Sequence, residues 1–165
     1  MKLPFNELVE KNLSCASINV YSMVDKYMAE SFTGYFIVSI LGYSGFEEGV
    51  IIFRHGQLVG SVFEYNKYNI VVFGFFALQQ FFNAVRAKFS VMDIVSLSVH
   101  QVDLITAFND KIMLENPISL KEISKLIPPM YSDAFAKRVL SDVLLEDSSK
   151  QSALESVGLS GAFAK

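Results

Sequence analysis

Apolar and polar positions alternate with a period of two from Phe32 to Tyr65, and glycine-bearing turns cut the run twice. A period of two sends successive side chains to opposite faces, so the segment reads as three antiparallel strands. His55-Gly56 lies between Arg54 and Gln57 with apolar runs on both sides, the signature of a two-residue hairpin loop. The earlier connection, Gly42-Tyr43-Ser44-Gly45, has a glycine at each end that can take positive φ. Pairing Arg54 with Gln57 predicts Phe53 opposite Leu58, Ile51 opposite Gly60, Gly49 opposite Val62 and Glu47 opposite Glu64. Pairing Leu41 with Phe46 adds Phe36, Val38 and Ile40 to the same face. That face is almost wholly apolar, and Gly49 with Gly60 predicts a flat spot where a helix approaches closely. The opposite face carries Tyr35, Ile37, Val50, Ile52, Val59 and Phe63 among Ser39, Glu48, Arg54, Gln57 and Ser61. It is too apolar for a solvated surface, which predicts partial cover by a helix or a partner chain; these six apolar residues form the candidate interface.

On either side of the meander the period changes. Leu13 to Ile18 reads as a short strand, and Asn19 caps a helix with Val20, Val24, Tyr27 and Met28 on one face. Ile70 to Phe73 is compatible with a further strand. A helix from about Phe75 to Lys88 turns Ala77, Leu78, Phe81, Phe82 and Val85 inward and Gln79, Gln80, Asn83 and Arg86 outward, and is assigned to the glycine spot. Val91 to Leu97 reads as a strand, and Val99 to Lys111 as a helix burying Val102, Ile105, Phe108 and Ile112. Asn116-Pro117 marks a boundary, since proline biases the residue before it away from helix. Ser119 and Glu122 form a capping box, and Pro128-Pro129 ends the helix it opens. Another helix starts at Ser132-Asp133, and a last one is expected from Ser149 to Val157 before Gly158. The fold class is therefore α+β: an antiparallel β-meander of three to five strands packed by helices. The core domain is set at 1–112 and a helical C-terminal appendage at 113–165.

Phe32-Thr33-Gly34-Tyr35, Gly42, Glu47-Glu48-Gly49, Phe53-Arg54, Gly56, Glu64-Tyr65, Ala77-Leu78 and Asn83-Ala84 form a series that resembles an archaeal family of unknown function. The likeness continues through Ile127-Pro128-Pro129-Met130-Tyr131-Ser132 and Ser149-Lys150 to Gly158-Leu159-Ser160-Gly161. More distantly the series is similar to the PatA N-terminal (PATAN-like) domain of prokaryotic signalling proteins. Phe75-Phe76 depart from the Gly-Glu-Ala-Leu helix start of that pattern. The resemblance implies a regulatory or adaptor role and no known chemistry.

Composition narrows the classes further. The net charge of −3 and pI near 5.4 argue against a general nucleic-acid binder. Charged residues make up only 19%, which points to a moderate growth temperature or to surface buried by association. A single cysteine, Cys15, excludes an intrachain disulfide framework and fits a reducing cytoplasm. Met1 to Lys11 lacks the apolar core of a signal peptide. Tyr68 to Val85 is uncharged and long enough to span a bilayer, but Asn69, Gly74, Gln79, Gln80 and Asn83 are costly in hydrocarbon, so no membrane span is expected.

The search for chemistry turns up little. His55 and His100 have no Cys or carboxylate at ligand spacing, so no metal or other cofactor is expected. No phosphate-binding loop, dinucleotide fingerprint or nucleophile elbow is present, and the chain is not expected to be an enzyme. Two charge constellations remain. Glu47, Glu48 and Glu64 converge at one end of the meander, where opposed like charges destabilise a sheet unless something lies between them. Lys121, Lys125, Lys137 and Arg138 lie on two helices in a helix-turn-helix-like pattern and would be the contacts of a nucleic-acid-binding or transcription-associated protein. Interleaved Asp133, Glu122 and Asp142 read instead as an ordinary solvated face. The leading expectation is a non-enzymatic, cytoplasmic regulatory or protein-interaction module. Its expected partner is a second copy of itself or another protein.

Overall fold

The computed structural model describes residues 3–43, 45–141, 143 and 145. Its strands are β1 (Glu7–Ser14), β2 (Gly34–Gly42), β3 (Gly45–Arg54), β4 (Gln57–Tyr65), β5 (Ile70–Phe73) and β6 (Ser90–Ser96). They form one sheet in the order β1-β6-β2-β3-β4-β5, antiparallel throughout. The class is α+β as expected, with six strands rather than three to five among the described residues. The lead-in strand starts earlier than the apolar pattern suggested. Glu7, Glu10 and Lys11 sit on a bulged edge strand, where charges discourage further pairing.

Helices cover both faces. α1 (Val20–Ala29) begins at Asn19, whose side chain accepts the Ser22 N–H, and its Tyr27 ring meets Phe36 edge-on at 5.2 Å. α2 (Gly74–Ala84) packs on the same face, with Phe81 over Gly49. α3 (Val99–Phe108) lies on the other face and opens with a capping box between Ser98 and Gln101. α4 (Leu120–Leu126) opens with the expected Ser119–Glu122 box and packs beside α1 and α2. The uncharged stretch from Tyr68 to Val85 is divided between β5 and α2, and among the described residues no helix is long and apolar enough to cross a membrane.

The register of the second hairpin differs from expectation by one bulge. Arg54 pairs with Gln57 and Phe53 with Leu58, but Ile52 then pairs with Gly60, so Val59 is an extra residue in β4. Beyond it every side chain of β4 changes face. Gly60 points to the α3 face against the Ile112 carbonyl, and Phe63 points to the α2 face against Gly49. The flat spot under α2 is therefore Gly49 alone. The bulge leaves the Val59 carbonyl free of the β3 ladder to accept the Leu114 N–H at 3.0 Å, beside a bridge between Gly60 and Met113.

Two helical assignments also change. Phe108 is not buried: α3 ends there, Asn109 turns the chain away, and only Ile112 returns to the core through a short 3-10 turn. Gln80 and Asn83, read as outward, are buried. Asn83 is covered by the segment after Pro129, whose Ser132 backbone it binds.

The chain divides into two compact units, Met1–Ser132 and Asp133–Lys165. The boundary expected after Ile112 falls inside the first, because Met113 and Leu114 join β4 and Asn83 holds Ser132. In the second unit, α5 (Ala134–Val139) follows Asp133. The helix expected from Ser149 to Val157 lies outside the described residues.

Candidate interaction surface

Among the described residues, the α3 face of the sheet is covered at one end only. Tyr35, Val50, Ile52, Val62 and Val95 form a buried cluster with Leu97, Val102 of α3 and Ile112. A ten-residue helix is about 15 Å long and a nine-residue strand about 30 Å, so α3 cannot cover the whole length of β2. The end next to the Gly42–Gly45 turn stays open.

On that open end Leu41 pairs with Phe46 across β2 and β3. The Leu41 N–H donates to the Phe89 carbonyl at 3.3 Å, one step past the paired register of β2 with β6. Leu41 and Phe46 thus face each other on neighbouring strands, with Phe89 beside Leu41 in the turn that leads into β6; the three are exposed at 64%, 51% and 62%. Val91, opposite Ser39, extends the row along β6 and is 42% exposed. Isolated exposed apolar residues are ordinary, whereas grouped ones such as these make the turn end of the sheet the candidate surface. Its rim is charged on two sides. Glu48 and Glu64 stand opposite each other on β3 and β4, with the Ser39 hydroxyl donating to Glu48 at 3.3 Å. On the β6 side the Lys88 ammonium lies over the Phe89 ring, 5.2 Å from its centroid.

The residues proposed from sequence are distributed differently. Of the candidate interface, Tyr35, Val50 and Ile52 are buried beneath α3 and its neighbours, Ile37 and Val59 are half-buried against the same cluster, and Phe63 is on the other face. The exposed apolar residues lie two to four residues further toward the turn. The acidic group does not converge: Glu47 stays on the α2 face, fully buried, but the bulge puts Tyr65 opposite it and moves Glu64 to the α3 face opposite Glu48. Burial, followed by the Glu47 charge and by Tyr131, pushes the Tyr65 phenol well above its ordinary range. Lys121 and Lys125 are exposed on α4. In the second unit, Lys137 pairs with Asp133 at 2.8 Å and the Arg138 guanidinium lies over Phe135 at 5.1 Å.

One other cleft is lined by polar side chains already committed within the chain. A cavity of about 440 Å³ at the start of α1 is lined by Asn19, Tyr21, Arg86 and Ser124. Asn19 is committed to capping and the Arg86 guanidinium donates to the Pro128 carbonyl at 3.0 Å. Burial pushes the Cys15 thiol up, so it behaves as a packed apolar side chain. No group of three His, Cys, Asp or Glu able to hold a metal occurs among the described residues.

A family model matches residues 1–109, which include the sheet, α1, α2 and α3. The chain belongs to DUF2226, a family of uncharacterized proteins conserved in archaea. No curated protein and no solved structure matches it. The DUF2226 region contains the whole of the exposed row, from Leu41 to Val91.

Proposed function

We propose that this DUF2226 protein is a non-enzymatic interaction module that docks a partner protein on the turn end of its sheet. The observation that carries the reading is the row Phe89–Leu41–Phe46, three large exposed apolar side chains, two paired across β2 and β3 and the third bound to the Leu41 backbone from the turn before β6. Burying such a row removes apolar area from water, while the charged rim limits which partners fit. The sequence likeness to the PatA N-terminal signalling domain fits an adaptor role in a regulatory pathway. A cytoplasmic setting fits Cys15, a lone buried thiol.

Site-specific photo-crosslinking tests the docking surface. A benzoylphenylalanine replacing Phe46 should yield protein adducts in extracts of the source cells, whereas the same probe at Gln57, exposed at the far end of the β3–β4 hairpin, should not. Equal or absent adducts from the two positions would remove the assignment.

A further inference from the structure

The two edges of the sheet are guarded differently. β1 carries Glu7, Glu10 and Lys11 and two shifts of register, devices that discourage a further strand. β5, the last strand on the other side, is Ile70-Val71-Val72-Phe73: uncharged, β-branched or aromatic throughout, half-buried at every residue and in regular register with β4. We propose that β5 pairs antiparallel with β5 of a second copy of the chain, about a two-fold axis that runs perpendicular to the sheet between the two Val72 residues. This edge is separate from the Phe89–Leu41–Phe46 row, and the inference stands without it.

The direction of the backbone groups fixes the pairing. The Leu114 N–H reaches the Val59 carbonyl across the Gly60–Met113 bridge, so Val59 turns that carbonyl away from β3. The direction alternates along a strand, so Ser61, Phe63 and Tyr65 also turn their backbone groups toward the β5 side. Phe63 and Tyr65 face Val72 and Ile70, which are therefore the residues bonded to β4, and Val71 and Phe73 direct their N–H and C=O groups outward. No strand lies beyond them among the described residues. An axis perpendicular to the sheet keeps each side chain on its own face, so only residues an even number of positions apart can face each other across it. Centring on Val72 sets Val71 opposite the second copy's Phe73 and Phe73 opposite its Val71, and each pair exchanges both of its hydrogen bonds. Centring on Val71 would instead set Phe73 against Asn69, which is left-handed at φ 52° and no longer extended.

The same operation keeps the helices clear, because it lays the sheets side by side and brings neither over the other. Gly74, where α2 starts, faces Ile70 of the second copy, so the two helix starts lie about 14 Å apart along the strands, beyond the roughly 8–10 Å of helices in contact. Past Phe73 the place beside β4 is taken by Met113, and there the second copy's Asn69 turns its chain back toward its own β4. Phe75 and Phe76, 47% and 57% exposed at the start of α2, border the contact. A strand that fits this edge must be uncharged, apolar on both faces and free to bond at alternate residues. β5 itself meets all three conditions, whereas the charged and bulged β1 does not.

Cysteine crosslinking of the full chain, in a Cys15→Ala background, tests this. Val72 meets its own copy as a non-hydrogen-bonded pair with Cα atoms about 4.5 Å apart, close enough for a disulfide. Val71 meets Phe73 instead, which leaves the two Val71 Cα atoms more than about 7 Å apart, too far for one. Copper-phenanthroline oxidation at about 100 μM should therefore link Val72→Cys into dimers and leave Val71→Cys monomeric. In sedimentation equilibrium the natural protein should show a dimer that grows in with concentration, as a contact this small requires. Val71→Pro removes an outward N–H and leaves the β4 ladder intact, so it should abolish that dimer while circular dichroism shows it folded. Should it fail to fold, Val71→Lys, which puts a charge on the edge, should abolish the dimer in its place. Equal linking of the two cysteine variants, linking of neither, or a dimer untouched by the Val71 changes would overturn the pairing. A benzoylphenylalanine at position 72 that captures a different protein while Val72→Cys stays unlinked would give the edge to a foreign strand and overturn self-pairing. Each of these outcomes is read apart from the probe at position 46.

Discussion

Asn83 and Ser132 hold each other through two reciprocal hydrogen bonds. The Asn83 amide donates to the Ser132 carbonyl at 2.8 Å, and its side-chain oxygen accepts the Ser132 N–H at 2.9 Å. One side chain on α2 thereby satisfies both backbone groups of a residue 49 positions later, as a neighbouring strand would. The Asn83 amide also donates to Gln80 at 3.2 Å, so the two amides form one buried polar unit on the helix. Removing it breaks both part-buried bonds to Ser132 and leaves the buried Gln80 amide oxygen without this donor.

Asn83→Ala should therefore destabilise the protein by about 1–3 kcal/mol in urea unfolding, with faster hydrogen exchange over residues 128–132. Asn83→Asp should be at least as damaging, because a carboxylate would face the Ser132 carbonyl and lose the donor. A neutral effect of either change would show that the segment is held by other contacts.

Gly34 begins β2 with φ of +153° and is paired on both sides, to Phe53 and to Ser96. A Cβ there would run into the Val95 carbonyl and lie 2.6 Å from the Phe32 ring. Gly45, at φ +110°, has no atom within 4 Å of the same position. Gly34→Ala should cost more than about 3 kcal/mol by adding overpacking to backbone strain. Gly45→Ala should cost about 1–2 kcal/mol from strain alone. Equal losses in urea titrations of the two variants would contradict this separation.

These local features show where the sequence was legible. The His55-Gly56 turn, with φ of +50° and +75°, and the first hairpin register could be read from residue type alone. The Val59 bulge could not, because the groups that stabilise it, Leu114 N–H and Met113, lie more than 50 residues away in a stretch that reads as linker. One unforeseen residue then sent Gly60, Phe63, Glu47 and Glu64 to the wrong partners. The exposed row was hidden for a different reason. Alternation assigns a side chain to a face but does not say how far along the strand a helix extends. A usable signal was present: no helical segment near the meander was long enough to span a nine-residue strand.

Arg54 and Asp103 form an exposed ion pair between β3 and α3, Nε to Oδ1 at 2.7 Å. The hydrogen bond from Arg54 holds the Asp103 carboxyl below its usual value of 3.8, partly opposed by desolvation. A carboxyl depressed in the folded state binds protons more weakly than in the unfolded chain. Its contribution is present above the unfolded value and is lost as pH falls through the folded one. Asp103→Asn should therefore unfold at a lower temperature than the natural protein near neutrality, and the gap should close between about pH 4 and pH 2. Because both side chains are nearly half exposed, added salt should shrink the gap at every pH. A gap that widens in acid would assign the pair the opposite sign.

Ile40 and Leu41 are neighbours on β2 that point to opposite faces, and their fates separate stability from association. Ile40 is 2% exposed on the α2 face, whereas Leu41 is 64% exposed in the apolar row. Truncating a packed isoleucine removes its transfer free energy and leaves a cavity, so Ile40→Ala should cost about 2–5 kcal/mol in urea unfolding of the dilute protein. Leu41 has little to lose in the isolated chain, and Leu41→Ala should stay within about 0.5 kcal/mol under the same conditions. The order should reverse in association. Leu41→Ala removes a side chain from the proposed docking surface and should reduce the adducts formed by the probe at position 46, while Ile40→Ala, whose side chain is on the other face, should leave them unchanged wherever the protein remains folded. Dilution matters, because any partner bound at this surface stabilises the folded state by mass action and would lend Leu41 an apparent role in folding. If Leu41→Ala in dilute solution is as damaging as Ile40→Ala, the row is covered within the chain and offers no surface to a partner.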